Sequence, residues 1–145
     1  MALFIAATRK KYSVKELAVI GAHNIGYHSQ ILRNTMLTPI WNGCQAGITT
    51  VGILSDGSIK GCLSLPNDYM EGNIREKKFT DIWNGSNFAS YNRKFKQQDL
   101  KGNCRDCKYG KRCKGGCETV SVVLAGEMHC DPYCLYMVEK EMIGK

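Results

Sequence analysis

The chain has 145 residues, 43% of them hydrophobic, which is enough for one domain with part of a second and excludes a disordered chain. No stretch approaches the roughly 20 apolar residues of a membrane-spanning helix, and the run ALFIAA precedes Arg9, Lys10 and Lys11, the reverse of a secretory signal. A cytoplasmic chain keeps its thiols reduced, so the eight cysteines, all but one beyond Gly61, point to metal rather than to disulfides. The net charge of +7 is local: Arg93, Lys94, Lys96, Lys101, Arg105, Lys108, Lys111, Arg112 and Lys114 face only Asp99 and Asp106 between Tyr91 and Lys114. Such a strip suits nucleic acid, or it offsets anions held inside the protein.

In chain order, residues 2–40 carry no cysteine and predict a helix over Leu3–Lys11 and an apolar strand over Leu17–Gly21. An irregular stretch with His23, Asn24 and Gly26 follows, then a second short helix around Ile31–Met36 that ends before Pro39. One α/β unit of this kind needs neighbours to bury a sheet. With Met1 directly at a helix start, the chain is expected to open within a larger domain. Thr49–Leu54 and Ile59–Leu63 are strand-like runs joined by Ser55-Asp56-Gly57-Ser58, which predicts a hairpin because the turn needs a positive φ. Phe79–Trp83 predicts a helical turn ended by Asn84-Gly85, and Ser86 is placed to cap a longer helix reaching Gln98. Residues 101–117 read as irregular, and Asp131-Pro132 is expected to open the last helix, Asp as N-cap and Pro at the first helical position.

The chemistry lies in the cysteine spacing. Cys44 is followed by twelve residues, Gly57, four residues and Cys62, so the hairpin can bring two distant thiols together at its base. Cys104-x2-Cys107-x5-Cys113-x3-Cys117 places four thiols within fourteen residues, where Gly110, Gly115 and Gly116 let backbone N–H groups turn toward sulfur. Cys130 and Cys134 complete eight, enough for two four-thiolate sites.

This arrangement resembles the SPASM domain, the C-terminal auxiliary-cluster domain of radical SAM enzymes that mature peptides or proteins. The family pattern C-x9–15-G-x4-C, gap, C-x2-C-x5-C-x3-C, gap, C is met by Cys44, Gly57, Cys62, Cys104, Cys107, Cys113, Cys117 and Cys130. Gly72-Asn73-Ile74, Asp81-Ile82-Trp83 and Gly115-Gly116-Cys117 also look like the family, and the likeness covers roughly residues 44–134.

The resemblance implies two [4Fe–4S] clusters with crossed ligands. Cys44, Cys62 and Cys117 would serve auxiliary cluster I, with Cys134 as the preferred fourth ligand, and otherwise an open iron. Cys104, Cys107, Cys113 and Cys130 would serve auxiliary cluster II. The Asp that follows the cysteine equivalent to Cys62 in formylglycine-forming relatives is Leu63 here, which speaks against that activity. The C-x3-C-x2-C loop that cleaves S-adenosylmethionine is missing, because Val120 and Met137 stand where the third cysteine would be. No catalytic residue is assigned, and the chain alone is not expected to cleave S-adenosylmethionine, which belongs to the full-length parent.

The expected architecture is therefore α+β. A small irregular cluster-binding domain over residues 44–145, with one β-hairpin and short helices, would follow a remnant α/β unit of a partial TIM barrel over residues 1–43. Its expected role is electron transfer or substrate anchoring. Its partners would be a peptide or protein substrate and a separately encoded radical SAM portion or an electron donor, with no membrane. The alternative is a zinc-knuckle-like module binding single-stranded nucleic acid through the basic strip, with Tyr91, Phe95 and Tyr109 for stacking. It fits less well, because the third ligand is Cys rather than His and four cysteines are left over. A third reading is a stand-alone binding module that kept the clusters without the chemistry. Trp41 and Trp83 are assigned to core packing, His129 to an exposed loop, and Lys108, Lys111 and Arg112 to balancing cluster charge.

Overall fold

The structure is a computed structural model that describes residues 1–19, 21, 25, 28–30 and 41–143. Its elements are α1 (Ala2–Lys11), β1 (Gly52–Ile53), β2 (Ser58–Lys60), β3 (Met70–Asn73), α2 (Phe79–Trp83), α3 (Ser90–Arg93), α4 (Gly110–Cys113), α5 (Glu118–Ala125) and α6 (Leu135–Ile143). The class is α+β, as expected.

The hairpin forms where Asp-Gly predicts it. Gly57 adopts a φ of 88°, and Asp56 Oδ1 accepts the Ser58 N–H at 2.9 Å. Strands β1 and β2 pair antiparallel, Gly52 opposite Lys60 and Ile53 opposite Ile59. Both are shorter than expected, because each gives way to a turn beside a cysteine. Before β1, the N–H groups of Ile48, Thr49 and Thr50 all return to the Gln45 carbonyl. After β2, the Leu65 N–H returns to the Cys62 carbonyl, and the buried Lys60 ammonium donates to the Leu65 carbonyl at 2.6 Å.

Strand β3 adds antiparallel to β2, so the sheet runs β1-β2-β3, one strand more than the single hairpin expected. Met-Glu-Gly-Asn has little intrinsic strand preference. The strand is held by pairing and by Asn73 Nδ2 donating to the Asp56 carbonyl at 3.1 Å. Beneath the sheet, Ile59, Ile82, Phe88 and Ala89 form a buried cluster with Val51, Trp83 and Tyr91 against it, which gives Trp83 its packing role. The Arg93 guanidinium covers the rings of Trp83 and Phe88 at 4.4 and 4.7 Å.

Helix α2 forms as expected, but the longer helix from Ser86 to Gln98 does not. Ala89 takes a left-handed φ of 46°, α3 begins only after it, and a separate 3₁₀ turn follows at Gln97–Asp99. The last helix starts later than Asp131-Pro132 suggests. Asp131 Oδ1 accepts the Tyr133 N–H at 2.9 Å and so closes a local turn, leaving Cys134 just ahead of α6. Helix α5 had no sequence expectation.

Near the N-terminus α1 forms as expected. The described part of the Leu17–Gly21 run contains no strand, because Ser13 and Glu16 close a turn that returns the Leu17 N–H to the Ser13 carbonyl. His23, Asn24, Gly26 and the expected helix at Ile31–Met36 lie outside the described residues. Among the described residues of 1–43 no barrel strand is present.

Candidate metal centre

The hairpin carries Cys44 and Cys62 toward one another. The Gly47 N–H, three residues past Cys44, donates to the Gly61 carbonyl, the residue before Cys62. Asn92, buried in α3, clamps the same turn, with Nδ2 donating to the carbonyls of Cys44 at 2.7 Å and Ala46 at 2.8 Å. Cys117 arrives at the start of α5. Its next neighbour but one, Thr119, donates its hydroxyl to Cys62 Sγ at 3.9 Å, and the charge of Cys117 is felt at Cys44 and that of Cys62 at Cys117. Cys44, Cys62 and Cys117 thus form one group.

The second group surrounds a small cavity lined by Cys104, Cys107, Cys113 and Cys134, with Tyr109, Tyr136 and Asp131. The 3₁₀ turn Gly102–Cys104 supplies Cys104, helix α4 supplies Cys113, the residue preceding α6 is Cys134, and Cys107 lies in the stretch between the 3₁₀ turn and α4. Here the structure differs from the sequence assignment. Cys134 lies with the second group rather than with Cys44 and Cys62. Cys130 does not line the cavity but stays near Cys104, half-buried, with its sulfur against Gly102, where a Cβ would lie 2.8 Å away. The reason is the late start of α6: the Asp131 turn carries Cys134, not Cys130, into the cavity.

Backbone amides point at these sulfurs. N–H groups of Ala46 and Glu118 serve Cys44, those of Thr119 and Val120 serve Cys117, and that of Gly116 serves Cys113. The N–H of Asp131 serves Cys104, and those of Tyr136 and Met137 serve Cys134. The donors at Cys117 and Cys134 come from the first turns of α5 and α6, where the helix dipole favours a thiolate. Burial acts the other way and prevails: it raises Cys44, Cys113, Cys117, Cys130 and Cys134, and pushes Cys104 up to about 11. Buried thiols beside amides aimed at their sulfurs form a donor set that suits iron, whose positive charge offsets the cost of ionising them.

Among the described residues no three His, Cys, Asp or Glu side chains converge to hold a single metal ion. A four-iron cluster takes one thiolate at each of four separate irons, so its thiolates stand further apart than those of one tetrahedral ion.

His129, expected in an exposed loop, is buried instead. Its Nδ1 lies 2.7 Å from Glu118 Oε1 and 2.9 Å from the Lys114 carbonyl, its Nε2 lies 3.1 Å from the Tyr91 carbonyl, and its N–H donates to Glu118 Oε2. Burial disfavours the imidazolium, yet the Glu118 carboxylate and the two carbonyls outweigh it and raise His129 above its usual range. No periodicity announces this, because His129 sits in a loop at a φ of 61°. Parts of the basic strip have structural partners: Lys108 covers the rings of Tyr109 and Tyr136, Arg112 binds Asn42, and Lys114 binds Asn92.

Residues 44–108 match the SPASM family, described as an iron–sulfur cluster-binding domain. The chain is 35% identical over 101 residues to an AdoMet-dependent heme synthase of Methanosarcina barkeri, covering 68% of this chain and 27% of that protein. It is 33% identical over 101 residues to an AdoMet-dependent heme synthase of Oleidesulfovibrio alaskensis, covering 68% of this chain and 24% of that protein. The chain thus spans about a quarter of the length of these curated relatives. Residues 44–108 thus carry a SPASM domain, the iron–sulfur cluster-binding domain of radical SAM enzymes. The relatives are heme synthases by name, so they lend no support to the expected peptide or protein modification. Among the described residues no helix is long and apolar enough to cross a membrane.

Proposed function

We propose that the chain holds two [4Fe–4S] clusters as the auxiliary-cluster part of a radical SAM enzyme. Cys44, Cys62 and Cys117 would hold the first, and Cys104, Cys107, Cys113 and Cys134 the second. When bound, the clusters supply one-electron redox chemistry. The observation that carries this reading is the division of seven cysteines into two groups, with backbone amides directed at sulfur in each. Binding of S-adenosylmethionine would fall to the part of the enzyme outside this chain. The name of the relatives makes heme synthesis the reaction class to examine first, ahead of peptide modification. The exposed Met1, Leu3, Phe4, Val14 and Leu17 also favour residues 1–43 as part of a larger domain. A separately encoded radical SAM portion or an electron donor is the proposed partner.

The test is metal analysis of protein purified without oxygen. About eight irons and eight sulfides per chain are expected. Cys134→Ser should lose about half of the iron, while Cys130→Ser should keep it all. The reverse pair of results would restore Cys130 to the second cluster. About two zincs with no sulfide would overturn the reading in favour of a zinc module.

A further inference from the structure

Tyr91 lies in α3 beside Asn92, the residue that clamps the Cys44 turn. Its ring stands edge-on to Tyr69 at 6.1 Å, and its carbonyl faces His129 Nε2. The hydroxyl reaches inward over Gly61, where a Cβ would lie 2.3 Å from the phenol oxygen and 3.3 Å from the Gly47 nitrogen. It therefore sits between the turn that follows Cys44 and the residue that precedes Cys62. The oxygen is buried, and among the described residues it has no hydrogen-bond partner. A buried hydroxyl left unpaired loses its hydration without compensation, so such a group calls for an acceptor.

Resting on the cluster reading above, we infer that the Tyr91 hydroxyl donates a hydrogen bond to a sulfur of the first cluster and so sets that cluster's potential. The acceptor is the Cys44 or Cys62 thiolate or a bridging sulfide, which share one chemistry. Burial, followed by the charges of Cys44, Glu71, Glu118 and Cys62, raises the phenol above its ordinary range, so Tyr91 stays a neutral donor. A donor to sulfur stabilises the more negative, reduced cluster and raises its potential. Tyr91 is thus a positioning and tuning residue, not a ligand.

The experiment compares the anaerobically loaded chain with Tyr91→Phe, which removes one oxygen, and with Tyr69→Phe as a control. Redox titration followed by electron paramagnetic resonance should show one of two potentials moved to a more negative value in Tyr91→Phe and neither moved in Tyr69→Phe. Fluorinated tyrosine at position 91, a stronger donor of the same shape, should move the same potential the other way. Unchanged potentials in a fully loaded Tyr91→Phe chain would overturn the inference. Should that variant fail to load, an unmoved potential with the fluorinated residue would overturn it as well. Absence of iron and sulfide from the unsubstituted chain would instead sink the cluster reading itself.

Discussion

His129 is held at both ring nitrogens and at its backbone N–H, and it joins Lys114, Glu118 and Tyr91. Those three contacts lie beside Cys113, beside Cys117 and in the helix that clamps Cys44, so one imidazole spans both thiol groups. Glu118 has 1% of its side chain exposed. Removing the imidazole would leave that carboxylate buried with its charge partner gone, a change of about 3–5 kcal/mol when a buried pair is broken from one side. His129→Ala is therefore expected to lower the stability of the loaded chain by about 3 kcal/mol in urea denaturation. A change near zero would show that water replaces the ring without loss. At the same scale, Tyr91 and His129 share a backbone contact yet serve different ends, one tuning and one bracing.

The elements are short because the cysteine turns interrupt them. Helix α3 is the clearest case: it spans Ser90–Arg93, and it cannot extend backward because Ala89 is left-handed. Ala89 has no exposed surface, and it packs under Gly47, where a Cβ would lie 2.0 Å from its own Cβ. Gly47 has a φ of 69°, so both conformation and space require glycine there. Gly47→Ala should destabilise the chain by about 2 kcal/mol or more, from strain and overpacking together. It should also lower the retained iron, because the displaced turn carries Cys44. Circular dichroism melts with iron analysis check both, and full iron retention would show that the Cys44 turn is set elsewhere.

For the whole molecule, much of the interior is thiol rather than hydrocarbon: Cys44, Cys104, Cys113, Cys117 and Cys134 are buried beside a modest apolar cluster. The metal-free chain must keep those thiols protonated to bury them. Cys104 rises from an ordinary 9.0 to about 11, so the folded state binds its proton more tightly than the unfolded one. That stabilisation is fully present below pH 9, the unfolded value, and is lost as pH rises through 11. Urea midpoints of the metal-free chain should accordingly fall across this window, whereas those of the loaded chain, whose thiolates are already ionised and bound, should not. A flat profile in the metal-free chain would mean that the thiols are solvated.

Much of the site was legible in the sequence because ligand spacing is a local property. The interval from Cys44 through Gly57 to Cys62 and the run Cys104 to Cys117 carry the SPASM pattern, and Asp56-Gly57 marks the turn between β1 and β2. The sequence alone determined the SPASM domain, the hairpin and α2, each written in neighbouring residues. What it left open depended on contacts between distant segments. Strand β3 exists by pairing with β2, and α3 is cut short by Gly47, some forty residues away. His129 is buried by Glu118 and Tyr91, and the Asp131 turn brings Cys134 to the cavity lined by Cys104, Cys107 and Cys113, while Cys130 stays outside its lining but near Cys104. Two cysteines four positions apart are alike to a spacing rule. Only the tertiary structure distinguishes them, because the start of a helix is settled by what its first turn packs against.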